Sequence, residues 1–436
     1  MTGSPLNTNL SNYGQASTRP APVNRLMADF AHDFRDGIDI NLGVGYVNEK
    51  TIPESEFVAA LQAVAADPVR YRQAFNYGNP AGSRNLIGSI RDFLLRTGLG
   101  RLDAATLDRK RLAIGPCGAT SILDALTEIM QPGIVVTSDP AYYIYAEALE
   151  RKGFEILAVP EDAEGIDLAA LARKLDALGG DAARIAFFYV VTVNNPSCTV
   201  LTNARRRALF EVAAGLSRRQ NRRVPIFFDL AYELLLHDPA AEPFQSVLPL
   251  DDLDIVFEIG TLSKVLAPAL RIGYVLGPPG PLMSAMIQAT SDTGFSAPQF
   301  VQEMASWLLD HRISEQLRRV NAGYREKALA VGDGISRSLG HLLQECRGGS
   351  AGFYYYLTFR NLETHPSSPL FQRLAVTTGA PRVIYIPGVY CVRPQGDLAG
   401  LGRRQFRLSY AFEEVPQILR ALELIRQAAG PGAGSV

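Results

Sequence analysis

One lysine of this sequence stands apart from the others. Lys264 lies among small and apolar residues in TLSKVLAPALRIGY, whereas the other five lysines have charged or polar neighbours. An apolar setting lowers the pKa of an amine, so that it is unprotonated and nucleophilic toward an aldehyde. A lysine in such a loop can also extend its ammonium group to water. The segment alone is therefore compatible with a reactive amine or a solvated one.

Three polar side chains lie where apolar, strand-like runs end. Asn195 follows FFYVVTVN, Asp229 ends VPIFFD, and Lys264 follows DIVFEIGTLS. Tyr232 comes three residues after Asp229. Ligands bind beyond the carboxyl ends of the strands in an open α/β sheet. We therefore expect Asn195, Asp229 and Lys264 to converge on one crevice.

Together these four groups match the needs of pyridoxal 5′-phosphate. The cofactor requires a lysine for its aldehyde, an acid at its pyridine nitrogen and donors for its phenolate oxygen. Each polar side chain also has an ordinary explanation, since Asp229 could cap a helix, Tyr232 could be a core residue and Asn195 could form an Asn-Pro turn. The residue types and their spacing are therefore compatible both with cofactor binding and with these ordinary structural roles.

A phosphate group also has candidate ligands. The segment GPCGATSILDAL begins a helix after a strand, where free backbone N–H groups and the helix dipole attract an anion, although an ordinary helix start would look the same. The lysine loop adds two hydroxyls and a guanidinium, a group suited to bidentate phosphate contact. The residues concerned are Gly118, Ala119, Thr120, Thr261, Ser263 and Arg271. Tyr142, in SDPAYYIY, could lie flat on the cofactor ring or belong to the core.

In order along the chain, these segments resemble the fold type I, aspartate aminotransferase-like enzymes, the class I and II aminotransferases. The most specific element is Asp-x-x-Tyr followed by Ser-Lys and by an arginine seven residues later. The sequence departs from the family where Ser197 and Cys198 replace a Thr-Gly turn, which leaves the shape of that loop open. The resemblance covers INLGVGYVNEKTIP, NYGNPAGSRNLIGSI, GPCGATSILDAL, SDPAYYIY, VNNPSCTV, FFDLAYELLLHD, TLSKVLAPALRIGYVLGP, YIPGVYC and RQFRLSYAF.

The resemblance implies a role for each cofactor-binding candidate. Lys264 would form the Schiff base and act as the catalytic base, Asp229 would hold the pyridine nitrogen, and Asn195 and Tyr232 would bind the phenolate oxygen. Tyr142 would stack on the ring. The phosphate cup would consist of Gly118, Ala119, Thr120, Thr261, Ser263 and Arg271.

The resemblance also implies how substrate and subunits meet. Arg407, in FRLS, would bind the substrate α-carboxylate beside Asn195 and the backbone of Gly45, although a charged residue in a strand is often a surface residue. Tyr77, in NYGNPAG, would reach the phosphate of a second subunit, which implies a homodimer. No arginine stands out in SDTGFSAPQF, so we do not expect aspartate or glutamate to be the preferred first substrate.

The reaction implied is transfer of an amino group between an L-amino acid and a 2-oxo acid by a ping-pong mechanism. Two alternatives remain open. A fold type I lyase catalysing β- or γ-elimination would use the same lysine, aspartate and arginine. A non-catalytic, cofactor-binding regulator attached to a DNA reader would retain the pocket without turnover.

The elements that must position these groups alternate between strand-like and helical patterns. From RLAIGP to DIVFEIGTLSK this alternation predicts a three-layer αβα domain with a mainly parallel sheet. A long amphipathic helix is predicted from Trp307 to Gly340, and hairpin-like strands with a closing helix then form a smaller α+β domain. The predicted limits are 1–48 for an N-terminal arm and the start of the small domain, 49–325 for the large cofactor-binding domain and 326–436 for the C-terminal small domain.

Composition argues against several other functions. The 43 basic and 44 acidic residues leave no field of one sign that would attract nucleic acid or a membrane surface. We expect no metal, because the five histidines have no ligand spacing. We expect a reducing cytoplasm, because no secretory or membrane-spanning segment is apparent and the cysteines are scattered. These are Cys117, Cys198, Cys346 and Cys391.

Overall fold

The computed structural model describes residues 8–376 and 379–430. Their strands are β1 (Ile40–Asn41), β2 (Arg111–Ile114), β3 (Ile134–Asp139), β4 (Glu155–Asp162), β5 (Gly165–Ile166), β6 (Ile185–Val191), β7 (Ile226–Asp229), β8 (Val256–Thr261), β9 (Gly273–Gly277), β10 (Leu343–Gly348), β11 (Tyr354–Phe359), β12 (Val383–Ile384), β13 (Ile386–Pro387) and β14 (Gln405–Ser409).

The α-helices of these residues are α1 (Asn12–Ala16), α2 (Pro22–His32), α3 (Glu54–Ala66), α4 (Arg84–Thr97), α5 (Ala104–Arg109), α6 (Gly118–Ile129), α7 (Tyr143–Arg151), α8 (Leu168–Leu178), α9 (Asn203–Gln220), α10 (Pro281–Gly294), α11 (Gln299–His311), α12 (Ile313–Leu339), α13 (Pro369–Ala375), α14 (Ala399–Gly402) and α15 (Val415–Ala429). None of them is long and apolar enough to cross a membrane.

The larger sheet has the strand order β2-β9-β8-β7-β6-β3-β4-β5. Its central pairs, from β8 through β7, β6 and β3 to β4, are parallel, and β9 runs antiparallel to both of its neighbours. Both faces are covered, because Phe188 and Phe228 belong to one apolar cluster whereas Phe187 and Phe227 belong to another. This arrangement confirms the predicted α/β class with a mainly parallel, doubly covered sheet.

The register of the larger sheet brings the ends of three strands together. Asp229, the last residue of β7, pairs with Val191 at the end of β6 and with Ile259 near the end of β8. Because β9 returns antiparallel to β8, residues 262–272 form a loop at this edge instead of a crossover helix. The loop carries Lys264 back over the ends of the strands.

A smaller antiparallel sheet has the order β10-β11-β14-β13. Arg407 lies in β14, an interior strand, where it pairs with Tyr356 on one side and Ile386 on the other. Near the start of the chain, β1 pairs with β12, which precedes β13. This pairing is compatible with the predicted domain limits, which remain a prediction. Residues 1–7 of the predicted arm lie outside the described residues.

The structure differs from the predicted long helix at one residue. Trp307 lies in α11, which ends at His311, and α12 begins at Ile313. Between them Arg312 leaves the helical region, with φ −130° and ψ −20°. Its guanidinium lies 5.0 Å from the Trp307 ring and donates to Glu56. A break of one residue hardly disturbs the helical period of the apolar residues, so periodicity alone missed it.

Candidate active site

A cleft of about 320 Å³ lies between the two sheets, at the carboxyl ends of β6, β7 and β8. It combines the residues predicted to bind cofactor with those predicted to bind substrate. The predicted residues that line it are Gly45, Ala119, Thr120, Tyr142, Asn195, Asp229, Tyr232, Thr261, Ser263, Lys264, Arg271 and Arg407. Gly118 adjoins this wall, because a Cβ at this position would lie 2.8 Å from a guanidinium nitrogen of Arg271.

Lys264 does not extend to bulk water. Its Nζ donates to the carbonyl oxygen of Gly45 at 3.1 Å and lies 5.6 Å from the centre of the Tyr232 ring. Burial lowers its pKa to about 8, with the cations Arg407 and Arg271 adding to the effect and Asp229 opposing it. About a tenth of this amine is therefore unprotonated at pH 7, far more than for an ordinary lysine, and this is the form that a nucleophile or base requires.

Asp229 presents a buried carboxyl group at the floor of the cleft. The Tyr189 hydroxyl donates to its Oδ2 at 2.7 Å, and the backbone N–H of Ala231 donates to its Oδ1 at 3.0 Å. Burial raises its pKa, whereas these hydrogen bonds and the charge of Lys264 lower it. The backbone contact means that Asp229 also shapes the turn after β7. Asp229 does not cap the short helix that follows, Glu233–Leu235, which begins after Tyr232 and has no side-chain cap.

One part of the cleft gathers groups that attract anions. The N-terminus of α6 and Arg271 meet at Gly118, which has φ +70° and whose N–H donates to the Arg271 carbonyl oxygen at 2.6 Å. A Cβ at Gly273 would lie 2.1 Å from the backbone nitrogen of Ala119, so only glycine permits this approach. Thr261 Oγ1 lies 3.0 Å from Ser263 Oγ. A guanidinium, hydroxyls and a helix N-terminus thus form one cluster.

Arg407 is a buried cation that faces the cleft. It is only 1% exposed, and it donates to Asn195 Oδ1 at 2.7 Å and to the Gly43 carbonyl oxygen at 2.6 Å. Its Nε has no hydrogen-bond partner among the described residues. A buried guanidinium with an unused donor suits a carboxylate, and burial rules out a surface arginine.

Tyr77 lies outside the cleft of its own chain. Its side chain is 76% exposed, and its ring centre lies 5.2 Å from that of Phe295, which is 62% exposed. Phe75 is 81% exposed on the same segment. These rings form an exposed aromatic surface, defined by Phe75, Tyr77 and Phe295.

The loop with the unusual sequence keeps a tight turn. Cys198 adopts φ +51°, the left-handed conformation that glycine takes most easily. Its N–H donates to the Asn194 carbonyl oxygen at 2.7 Å, and the Asn194 N–H donates to the Thr199 carbonyl oxygen at 3.0 Å. The chain therefore retains a turn beside Asn195 without glycine.

Sequence reasoning missed four tyrosines of the site, Tyr46, Tyr143, Tyr189 and Tyr354. Tyr46, Tyr143 and Tyr354 line the cleft, and the Tyr189 hydroxyl donates a hydrogen bond to the Asp229 carboxylate. The run FYYYL indicates a strand, but four of its five residues are aromatic and the fifth is leucine, so no alternation of polar and apolar residues indicates which side faces a ligand. The run FFYVV likewise does not indicate that the Tyr189 side chain faces the site.

Known proteins resemble this chain over most of its length. The family model for aminotransferase class I and II matches residues 38–425. An uncharacterized HTH-type transcriptional regulator of Bacillus subtilis, YisV, is 23% identical over 89% of this chain and 73% of its own length. The 2-aminoadipate transaminase of Thermus thermophilus is 26% identical over 67% of this chain and 69% of its own length. The multiple substrate aminotransferase of Thermococcus profundus shares the fold, with a TM-score of 0.83, 19% identity and 96% of each chain covered.

Proposed function

Because this chain belongs to the class I and II aminotransferase family, we propose that its cleft uses pyridoxal 5′-phosphate, attached to Lys264, to move an amino group between an L-amino acid and a 2-oxo acid. The observation that carries this proposal is that an amine with a lowered pKa, a buried carboxyl group and a buried arginine line one cleft. These three residues, Lys264, Asp229 and Arg407, are far apart in the sequence, and the fold brings them into one cleft.

The donor set fits the cofactor at both ends. The cluster at Arg271 suits a phosphate, and Asp229, which lines the same cleft, would face a ring nitrogen. The close approach of Gly118 and Gly273 leaves backbone N–H groups near the phosphate end. When bound, pyridoxal phosphate supplies an aldehyde and a ring that accepts electrons. The chain supplies the anchoring and the proton transfers.

Each proposed residue would hold or move a defined group. The Lys264 amine would take the proton from the substrate Cα, because its pKa of about 8 leaves it partly unprotonated near neutral pH. Asp229 would hold the proton on the pyridine nitrogen. Arg407 would bind the α-carboxylate through its unused donor and fix the orientation of the Cα–H bond.

The walls of the cleft favour a neutral substrate side chain. The cationic residues that line the cleft are Lys264, Arg271 and Arg407. Each already has a proposed partner, which is the cofactor aldehyde for Lys264, the cofactor phosphate for Arg271 and the substrate α-carboxylate for Arg407. The remaining wall near Gly45 includes Tyr46 and Tyr143. We propose an apolar or aromatic amino acid as first substrate. A panel of amino acids added to holoenzyme, followed by the change in cofactor absorption, tests this: aspartate or glutamate reacting fastest would contradict it.

We also propose a homodimer in which Tyr77 completes the site of the partner. The exposed aromatic surface supports this, because apolar patches of this kind mark interaction sites. A Lys264→Ala chain is refolded with a Tyr77→Ala chain, so that the hybrid dimer has one site with both defects and one intact site. Activity should exceed that of either parent.

The control for this experiment mixes Lys264→Ala with Asp229→Asn. Both residues act within one cleft, so each site of that hybrid keeps one defect and no recovery is expected. Equal activity in the two mixtures, or an active monomer by sedimentation, would contradict the assignment of Tyr77. The cytoplasm remains the compartment predicted from the sequence.

A regulator remains the second candidate, because of the similarity to YisV. A regulator would bind cofactor and amino acid without releasing an oxo acid. A lyase would release ammonia and leave the cofactor in its aldehyde form. Stoichiometric oxo acid with conversion of the cofactor to its amine form supports transamination over both.

A further inference from the structure

Tyr354 lies at the centre of the proposed machinery. This residue begins β11, is fully buried and lines the cleft. Its hydroxyl oxygen lies 2.9 Å from that of Tyr232, and its ring centre lies 4.2 Å from Cζ of Arg407. A Cβ at Gly45 would lie 2.7 Å from the same hydroxyl. One side chain therefore contacts the proposed phenolate donor, the proposed carboxylate binder and the backbone that holds Lys264.

The two hydroxyls share one hydrogen bond, so only one of them can donate in it. Burial raises the pKa of both tyrosines, which keeps both protonated near neutral pH. The guanidinium of Arg407 lies directly over the Tyr354 ring. A nearby positive charge makes an O–H group more acidic and hence a better donor. The distance allows either hydroxyl to donate, and the Arg407 charge over its ring favours Tyr354, which would leave the proton of Tyr232 to point into the cleft.

We infer that Tyr354 is a positioning residue that directs the hydroxyl proton of Tyr232 toward the phenolate oxygen of bound pyridoxal phosphate. This inference rests on the proposed function. A hydroxyl that accepts one hydrogen bond donates more strongly in the next, because linked hydrogen bonds polarise each other. The pair Tyr354 and Tyr232 would thus stabilise the phenolate more than Tyr232 alone.

The test uses Tyr354→Phe, which keeps the ring over Arg407 and removes only the oxygen. Holoprotein is titrated with acid and base, and the pKa of the absorption change of the covalently bound cofactor is measured. Weaker stabilisation of the phenolate raises this pKa, by about 0.3 to 0.7 for the loss of a fraction of one neutral hydrogen bond. The KM for the amino acid should stay within about twofold, since Arg407 keeps its stacking partner.

A double-mutant cycle separates positioning from direct contact. In a Tyr232→Phe background, adding Tyr354→Phe should leave the pKa unchanged, because Tyr354 acts only through the Tyr232 hydroxyl. The matched control is Tyr355→Phe, on the same strand, whose hydroxyl donates to the Ala328 carbonyl oxygen at 2.7 Å, away from the cleft. That control should lose stability without shifting the pKa.

Three results would overturn the inference. In the first, Tyr354→Phe titrates like the wild type. In the second, its shift is equally large with and without Tyr232, as direct contact with the cofactor would give. In the third, Tyr355→Phe causes the same shift, as general loosening of the strand would give. Failure of the proposed function looks different, since the wild type itself would then show no covalently bound cofactor, and both proposals would fall together.

Discussion

Removing the charge of Lys264 should stabilise the protein when no cofactor is bound. Folding lowers the pKa of this amine from 10.5 to about 8, so the native state disfavours its proton. Between these two values the unfolded chain binds more protons, and the free energy of unfolding rises with pH. Below pH 8 the full cost of the buried ammonium is present. Lys264→Met, which keeps the length of the side chain and removes the charge, relieves this cost.

The size of the effect follows from the two pKa values. A difference of about 2.5 pKa units corresponds to about 3.4 kcal/mol. The side chain is only partly buried in an open cleft, so solvent screening reduces this to about 1 to 2 kcal/mol. Because the wild type loses its proton as the pH rises, the advantage of the variant should shrink between pH 7 and pH 9.5.

The assay compares urea unfolding of the two apoproteins at equal protein concentration. Lys264→Met should unfold at higher urea at pH 7, with the gap narrowing at pH 9.5. Lys50→Met is the matched control, because the Lys50 side chain is 77% exposed and pairs with Glu414 at the surface. An apo Lys264→Met protein that is no more stable than the wild type, or a gap that does not depend on pH, would refute the lowered pKa.

Three further substitutions test other parts of the site and core. Arg407→Ala should raise KM for the amino acid and the oxo acid together by about 10²- to 10³-fold, because it removes the buried charge that would pair with both carboxylates. Cofactor content should stay unchanged, and a loss of cofactor would instead assign Arg407 to the phosphate. Asp229→Asn should keep the melting temperature within a few degrees but slow formation of the amine form of the cofactor at least about 10²-fold in single-turnover absorption, and unchanged turnover would contradict its role. Burial raises the pKa of Glu258 from 4.5 to about 7, so the native state takes up its proton more readily and stability falls as pH rises through that window. Glu258→Gln should reduce this fall, measured by urea midpoints at pH 5 and pH 7.5, and an identical slope would contradict it.

The parts of the fold that are visible in local patterns were predictable. A strand-like run ending in a polar group placed Asp229 at the end of a parallel strand, where β7 does end. Periodicity did not predict the break at Arg312, whose side chain contacts Glu56 in α3 and Trp307 in α11. Apolar periodicity carries no information about such contacts.

The positions of Arg407 and Tyr354 in the site could not be predicted from the residues alone, because they depend on contacts between residues that are far apart in the sequence. Arg407 and Asn195 are 212 residues apart in the chain and 2.7 Å apart in space. A charged residue in a short strand normally favours an edge, yet β14 lies between β11 and β13, so Arg407 is buried. Only the family resemblance assigned it to the substrate. Tyr354 had no such guide, because neighbours on both sides of it are aromatic.

Covalent trapping of the cofactor tests the central claim most directly. Holoprotein is reduced with borohydride in three states: alone, after excess amino acid, and after amino acid followed by a 2-oxo acid. Mass spectrometry of the digested protein should find a pyridoxyl group on Lys264 in the first and third states and almost none in the second, because the cofactor then carries the amino group and is no longer joined to the lysine. A pyridoxyl group on a different lysine, or one on Lys264 that persists with every amino acid tried, would contradict the account.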